Sequence, residues 1–461
     1  MSERYDVVIV GGGIGGLMCA YGLSESDPKL RVLLLERGRD IDKRICPIVS
    51  KKTKTCLKCD PCAIMEGMAG AGAFSDGKYI ISTEYGGWLP DLFDNDLVMR
   101  YILKADEILM RFGADKDAYE PSIALKKECL KYDLHMQSAK VKHLGTDANY
   151  LTMSKLIEHL KNKVEIVTSA KMTDVDIKTN TVTYIKDYKE ESVQASSIVL
   201  ALGRAGASDF KAWAKKNDLA LVNNQVDIGV RVELPYEIWE DFSKVIYEPK
   251  IKYATRGYHD TVRMFCFNER GQVVTENTDG ILTVNGHAYK DETKKSKNSN
   301  FALLSTTNFT SPFNEPIEYA KSVASLANKI SGGSVIVQRL GDLRNGKRTD
   351  EKRLKESSVI PTLDAVPGDL SLCMPKRQLD NIIETLDALS QVAPGTNNYD
   401  TLLYGVECKY YSARPEATDF MITGTSGIYA LGDGAGFTRS LSQAGASGLM
   451  VASKIVKGVI Q

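Results

Sequence analysis

The stretch YDVVIVGGGIGGLMCAYGLSESDPKLRVLLLE, Tyr5 to Glu36, decides the fold. The apolar run 5–10 reads as a buried strand, GGGIGG follows at 11–16, apolar residues then recur at helical spacing, and a second apolar run ends on Glu36. Strand, glycine turn, helix and acid-tipped strand together form a βαβ dinucleotide fingerprint. In that frame Gly11 permits the tight turn, Gly13 lets backbone N–H groups approach a pyrophosphate, and Gly16 lets the helix pack on the strand. Ile14, Gly15 and Arg37 flank these positions and join the candidate contacts. Phosphate is favoured at the helix N-terminus by unsatisfied N–H groups and the helix dipole. Glu36 is placed to accept the hydroxyls of an adenosine ribose and to repel a 2′-phosphate, which points to FAD or NAD and away from NADP.

The far end of the chain selects FAD. GIYALGDGAG at 427–436 reads as a strand ending in Gly432-Asp433, and the small-residue helix RSLSQAGASGLMVASKIV follows it. Asp433 can hydrogen-bond a ribityl hydroxyl, Gly434 to Gly436 can admit the diphosphate, and the helix bearing Ala444 and Gly445 can aim its N-terminus at the flavin's pyrimidine oxygen. A second strand ends at Ala201, followed by the glycine turn Leu202-Gly203-Arg204-Ala205-Gly206. Ligands of open α/β sheets gather at such strand ends. The loop GMAGAGAFSDGK at 67–78 supplies small residues able to lie flat on a planar ligand. Its candidate contacts are Gly70, Gly72, Ala73, Ser75 and Asp76.

Length and charge bound the rest. A chain of 461 residues that is 43% hydrophobic divides into two or three domains. With 59 basic and 59 acidic residues it carries no footprint for nucleic acid or an anionic membrane. No apolar run approaches the roughly 20 residues needed to cross a bilayer, so the expectation is a cytoplasmic protein. The expected architecture is α/β: a Rossmann-type FAD-binding domain over 1–215, an inserted, mostly antiparallel β-rich domain over 216–414, and a return segment over 415–461. Strand-like runs such as VDIGVRVELP and NFALLSTTNF carry the insert.

Four of the nine cysteines, Cys46, Cys56, Cys59 and Cys62, crowd into one polar segment with spacing C-x9-C-x2-C-x2-C. Three thiolates within seven residues can wrap one face of an iron–sulfur cluster, with Cys46 closing it. Zinc is the second reading, and free or disulfide-forming thiols the third.

GGGIGG with Glu36, ALGRAG and ALGDGAG resemble the flavoprotein superfamily typified by glutathione reductase and p-hydroxybenzoate hydroxylase. More narrowly, the four-cysteine segment with GMAGAGAFSDGK, then VDIGVRVE, TVNGHAY, LLYGVE and ALGDGAGFTRSLSQAGASG, resemble the uncharacterised bacterial and archaeal FAD-dependent dehydrogenases. The resemblance implies FAD, the two-domain fold and a redox activity. Flavin hydroxylases of this fold follow Gly-Asp with Ala-Ala-His, whereas Gly434-Ala435-Gly436 stands here.

The leading function is therefore a dehydrogenase or reductase that moves a hydride between flavin N5 and a small molecule, with an external electron donor or acceptor as a second partner. The alternatives are an electron-transfer or redox-sensing flavoprotein using the cysteines, and a flavin monooxygenase. His287 and Tyr410 suit proton transfer, Arg231 and Arg414 suit holding a carboxylate or carbonyl, and Glu407 lies beside them in the sequence. FAD should be non-covalent. Losing Asp433 should weaken its retention more than Glu36→Gln, because glutamine still offers the ribose an acceptor.

Overall fold

In the computed structural model, residues 3–459 are described apart from 48–49, 51, 53–56, 58, 76, 138, 247, 279 and 289–291, so Cys56 and Asp76 lie outside the described residues. The chain separates into two compact units, one of 1–119, 139–223 and 412–461, the other of 120–138 and 224–411.

The first unit is built on the opening βαβ. Strand β1 (Glu3–Val10) runs into helix α1 (Ile14–Ser26) and strand β2 (Val32–Glu36), whose five residues are all buried. Strand β3 (Glu165–Thr168) and strand β4 (Lys189–Leu200) follow, then helix α2 (Ala207–Lys216), strand β5 (Ile428–Ala430) and helix α3 (Leu441–Val459). The five strands lie parallel in the order β5-β4-β1-β2-β3. Strand order therefore reverses direction beside β1, the kind of switch point where open α/β sheets bind ligands outside the strands' carboxyl ends. The Gly- and Ala-rich sequence of α3 has a packing cause. A Cβ on Gly448 would lie 2.1 Å from the Gly15 carbonyl oxygen, and one on Gly22 2.7 Å from Ala452 Cβ, so α1 and α3 meet backbone to backbone.

The second unit is organised on an eight-stranded sheet. Its central strand Val226–Pro235 pairs antiparallel with Asn298–Thr307 and with Leu402–Lys409. Alternation along that strand sends Ile228, Val230, Val232 and Leu234 into an apolar core with Trp239, Phe301 and helix residues Leu379, Ile382 and Leu386. The opposite parity carries Asp227, Arg231 and Glu233, each with no exposed surface. Residues 120–138 contribute the helix Ile123–Leu130 and the edge strand Leu134–Met136, which pairs with Ile251–Ala254.

Candidate active site

A cavity of about 380 Å³ opens at the carboxyl ends of β1, β2, β4 and β5, and its lining lies entirely within the first unit. Gly11 makes the first turn at φ +113°, and a Cβ there would stand 2.4 Å from the Ala201 carbonyl oxygen. A Cβ on Gly16 would stand 2.0 Å from the Gly11 oxygen, so both glycines are required by backbone packing. Gly13 and Gly203 are different. Both line the cavity with φ near −75° (−72° and −75°), a conformation any residue adopts, and among the described residues no atom beyond the adjoining chain lies within 4 Å of a Cβ built on either. Gly432, also lining, has the same open surroundings at φ +79°. Three turns from three strands thus leave room for a group that is not protein.

Three helix N-termini point at this space. Those of α1, α2 and α3 present Gly13 to Gly15, Gly203 to Gly206, and Ser440, Leu441 and Ala444 to the cavity, which favours an anionic or electron-rich ligand. Ser440 Oγ caps α3 by accepting from Gln443 N at 3.2 Å.

Glu36 is buried at 6% exposure and already busy. Its Oε2 accepts from Gly12 N at 2.7 Å, and its Oε1 from Gly38 N at 2.8 Å and Gly67 N at 3.1 Å. Of roughly four lone-pair sites on a carboxylate, one remains for a ribose hydroxyl. Asp433 accepts from Thr438 Oγ1 at 2.7 Å, with Arg204 Nε 3.9 Å away. Arg37 lines the cavity paired to Glu66 and Asp60, each at 2.9 Å.

The glycine loop forms a short turn, Gly70–Phe74, held from behind by fully buried Asn149, which donates to Gly72 O at 2.7 Å and accepts from Tyr79 Oη at 2.8 Å. Ile14, Gly15, Gly70, Gly72, Ser75, Ala201 and Ala444 join the lining. Gly16, Ala73, Gly434 and Gly445 do not. Gly434 serves the contact between two turns, since a Cβ there would lie 2.1 Å from Leu202 O and 2.5 Å from Gly203 O. Gly445 packs toward Met18 and Ala105. Sequence reading missed Arg439, Lys78, Asp209 and the segment Ala170–Met172 in the lining, and Arg44 behind it. Lys78 closes the loop GMAGAGAFSDGK and Arg439 opens the small-residue stretch leading into α3, whereas Asp209, Ala170–Met172 and Arg44 sit in no glycine motif and no local signal marked them.

The candidate catalytic groups are arranged otherwise than the sequence suggested. Arg231 and Glu407 hold each other, with Nε to Oε2 and Nη2 to Oε1 both at 2.8 Å. The other guanidinium hydrogens go to Cys266 O at 2.9 Å, Asn300 Oδ1 at 3.3 Å and Asn285 Oδ1 at 3.1 Å. Five donors are thereby used, and Arg231 has none left for a substrate. Arg414, half-buried, lies opposite Val222 in a short antiparallel pair, and burial lowers its pKa while Asp91 opposes the shift. His287 ends the exposed side of the hairpin Gln272–Thr278/Ile281–His287, and Tyr410 packs against the apolar core of the second unit. None of the five lines the cavity.

Cys46 and Cys62 are half-buried and Cys59 is exposed, all as free thiols. Among the described residues no group of three or more His, Cys, Asp or Glu side chains is placed to hold a metal. Among them, too, no helix is long and apolar enough to cross a membrane.

Comparison with known proteins agrees with this geometry. Residues 225–410 match the family "FAD-dependent protein, C-terminal domain-like", and residues 9–41 the "NAD(P)-binding Rossmann-like domain". An uncharacterized protein of Clostridium beijerinckii is 25% identical over 474 residues, covering 98% of this chain and 80% of its own. Among solved structures, the chain is similar to glycine oxidase from Geobacillus kaustophilus (11% identity, TM-score 0.39, covering 99% of this chain and 95% of that one). It is also similar to the E. coli quinol fumarate reductase subunit FrdA (13% identity, TM-score 0.44, covering 100% and 71%). The fold and the two family matches define an FAD-dependent oxidoreductase. The second match lies on the fingerprint that opens the cavity, and the first spans the antiparallel unit.

Proposed function

We propose that the chain binds FAD non-covalently in the 380 Å³ cavity and transfers a hydride between flavin N5 and a small-molecule substrate. The observation that carries the reading is the set Gly13, Gly203 and Gly432, which face open space in one cavity at three strand ends. Gly11 to Gly15 would hold the diphosphate on the α1 N-terminus, Glu36 a ribose hydroxyl, and Asp433 a ribityl hydroxyl. The N-terminus of α3 would face the electron-rich edge of the ring. When bound, FAD supplies a two-electron hydride acceptor or donor. The protein's part is to orient it: Glu36 fixes the Gly12 and Gly67 turns, Asn149 fixes Gly72, and the apolar lining from Ile14, Leu35 and Leu431 keeps water from the walls.

Arg231 and Glu407 drop out as substrate-contacting groups in this reading, and His287, Tyr410 and Arg414 remain the candidates for proton transfer and anion binding. A cytoplasmic setting, an external electron partner and a metal at Cys46, Cys56, Cys59 and Cys62 are further proposals that rest on sequence alone. Acid treatment of the purified protein should release FAD; FMN alone, or no flavin after anaerobic reconstitution, would overturn the reading. Labelled oxygen from O2 appearing in a product would replace it with the monooxygenase. Iron with acid-labile sulfide in anaerobic protein would support the electron-transfer role, and zinc alone would make the cysteine site structural.

A further inference from the structure

Arg44 sits in the Lys- and Arg-rich segment after β2, yet it is only 5% exposed. Its guanidinium donates to four main-chain carbonyls: Nε to Ala63 at 3.0 Å, Nη1 to Met68 at 2.6 Å and Gly70 at 2.8 Å, and Nη2 to Ile64 at 2.8 Å. It also lies 4.7 Å over the ring of Phe74. Burial lowers its pKa to about 10, with Glu36 and Cys62 opposing the shift, so it stays charged at neutral pH. A Cβ on Gly67 would meet Arg44 Cδ at 2.6 Å, which places the side chain hard against the turn it holds.

The same arm is fastened on its other side. Gly67 N donates to Glu36, Glu66 pairs with Arg37 at 2.9 Å, Cys62 N donates to Glu66 Oε2 at 2.6 Å, and Glu66 N donates back to Cys62 O at 2.8 Å. Met65, Glu66, Gly67, Ala69 and Gly70 of this arm line the cavity. Residues 62–70 are therefore one hydrogen-bonded wall of the cofactor space, with the thiol of Cys62 at its outer end and exposed Cys59 just before it.

We propose that Arg44 is a positioning residue that couples FAD occupancy to the accessibility of Cys62. The proposal rests on the cavity being the FAD site. FAD seated against the arm holds it folded on Arg44, and an arm released from Arg44 both binds FAD more weakly and exposes the Cys62 thiol. Linkage makes the effect reciprocal at equilibrium: FAD favours the folded arm by the factor by which folding of the arm favours FAD, so an arm held open by a modified Cys62 binds FAD more weakly. Lysine cannot replace the fork, because one ammonium cannot reach carbonyls spread from Ala63 to Gly70.

The test is N-ethylmaleimide labelling of the full chain with and without FAD, with modified cysteines assigned by mass spectrometry and FAD binding followed by titration in the same samples. FAD should slow labelling of Cys62 about fivefold or more. Cys266, in the other unit, should label at one rate throughout, and buried Cys19 should stay unlabelled. Arg44→Lys at saturating FAD should label Cys62 faster than the wild type and bind FAD about tenfold more weakly. Binding of FAD without any slowing at Cys62 overturns the coupling, and absence of binding overturns the cofactor site beneath it. If Cys19 labels in the FAD-free protein, the comparison of Arg44→Lys with wild type at saturating FAD decides, and equal rates overturn the proposal.

Discussion

Replacing Glu36 by glutamine should damage FAD binding more than removing the Asp433 side chain, the reverse of the order expected from sequence. Glu36 uses both oxygens on backbone donors, Oε2 on Gly12 N and Oε1 on Gly38 N and Gly67 N. An amide has one oxygen, so whichever way it turns, its NH2 group faces a backbone N–H. The better orientation keeps two bonds and leaves Gly12 N opposed in a buried site. Losing one charge-assisted buried hydrogen bond costs about 1.5–3 kcal/mol, and Gly12 belongs to the diphosphate turn, so FAD affinity should fall about ten- to a hundredfold. Asp433 is 23% exposed and accepts one short bond, from Thr438. Water can enter where its carboxylate leaves, so Asp433→Ala should cost roughly 1 kcal/mol, less than tenfold in affinity. Titrating FAD into the two apo-variants measures both. A weaker Asp433→Ala variant, or equal affinities, would refute the role assigned to the Glu36 network.

Two further outcomes concern the second unit. Arg231→Met strands Glu407 in a site with no exposed surface, where among the described residues Lys409 at 3.2 Å remains to pair with it, and should cost about 3 kcal/mol in urea unfolding. Adding Glu407→Leu should recover most of that loss, and a stable single variant would show that the pair is not buried as described. Burial raises the pKa of Glu233 above its ordinary 4.5, against hydrogen bonds from Thr362, Tyr404 and Asn298. An acid raised in the folded state favours folding fully below its unfolded pKa, and that contribution is lost as pH rises toward the folded value. Unfolding free energy should therefore carry a declining component above about pH 4.5 that Glu233→Gln removes, and identical pH profiles would contradict it.

The parts of the protein written in contiguous sequence were readable there. GGGIGG and Glu36 specify a βαβ because Gly11 and Gly16 answer local backbone demands, and the alternation of 226–235 marks a strand wherever it ends up. What escaped was set by tertiary contact. Arg44 looks like one more surface cation in a basic segment, and only the fold delivers four carbonyls to it. Gly434 looks like a phosphate glycine, but its missing side chain admits the Leu202 and Gly203 carbonyls instead. Arg231 and Glu407 lie 176 positions apart, so their mutual saturation has no sequence signature. The short strand Leu134–Met136 has no sequence signature, because three residues are too few to display a period of two.

If the open space before Gly13 belongs to FAD, Gly13→Thr should abolish FAD binding and leave the fold intact. Position 13 is the N-cap of α1 at φ −72°, and among the described residues no atom outside its own stretch of chain lies within 4 Å of a Cβ there. Threonine is at least as good an N-cap as glycine, so the apo-protein should melt at or above the wild-type temperature. A side chain there occupies the approach to the α1 N–H groups and removes about two charge-assisted hydrogen bonds to the diphosphate, a loss of about a hundredfold or more in FAD affinity. Measured side by side, thermal melting and FAD titration should show an intact fold that no longer retains FAD. A Gly13→Thr protein that binds FAD as tightly as the wild type would contradict the placement of the cofactor in this cavity.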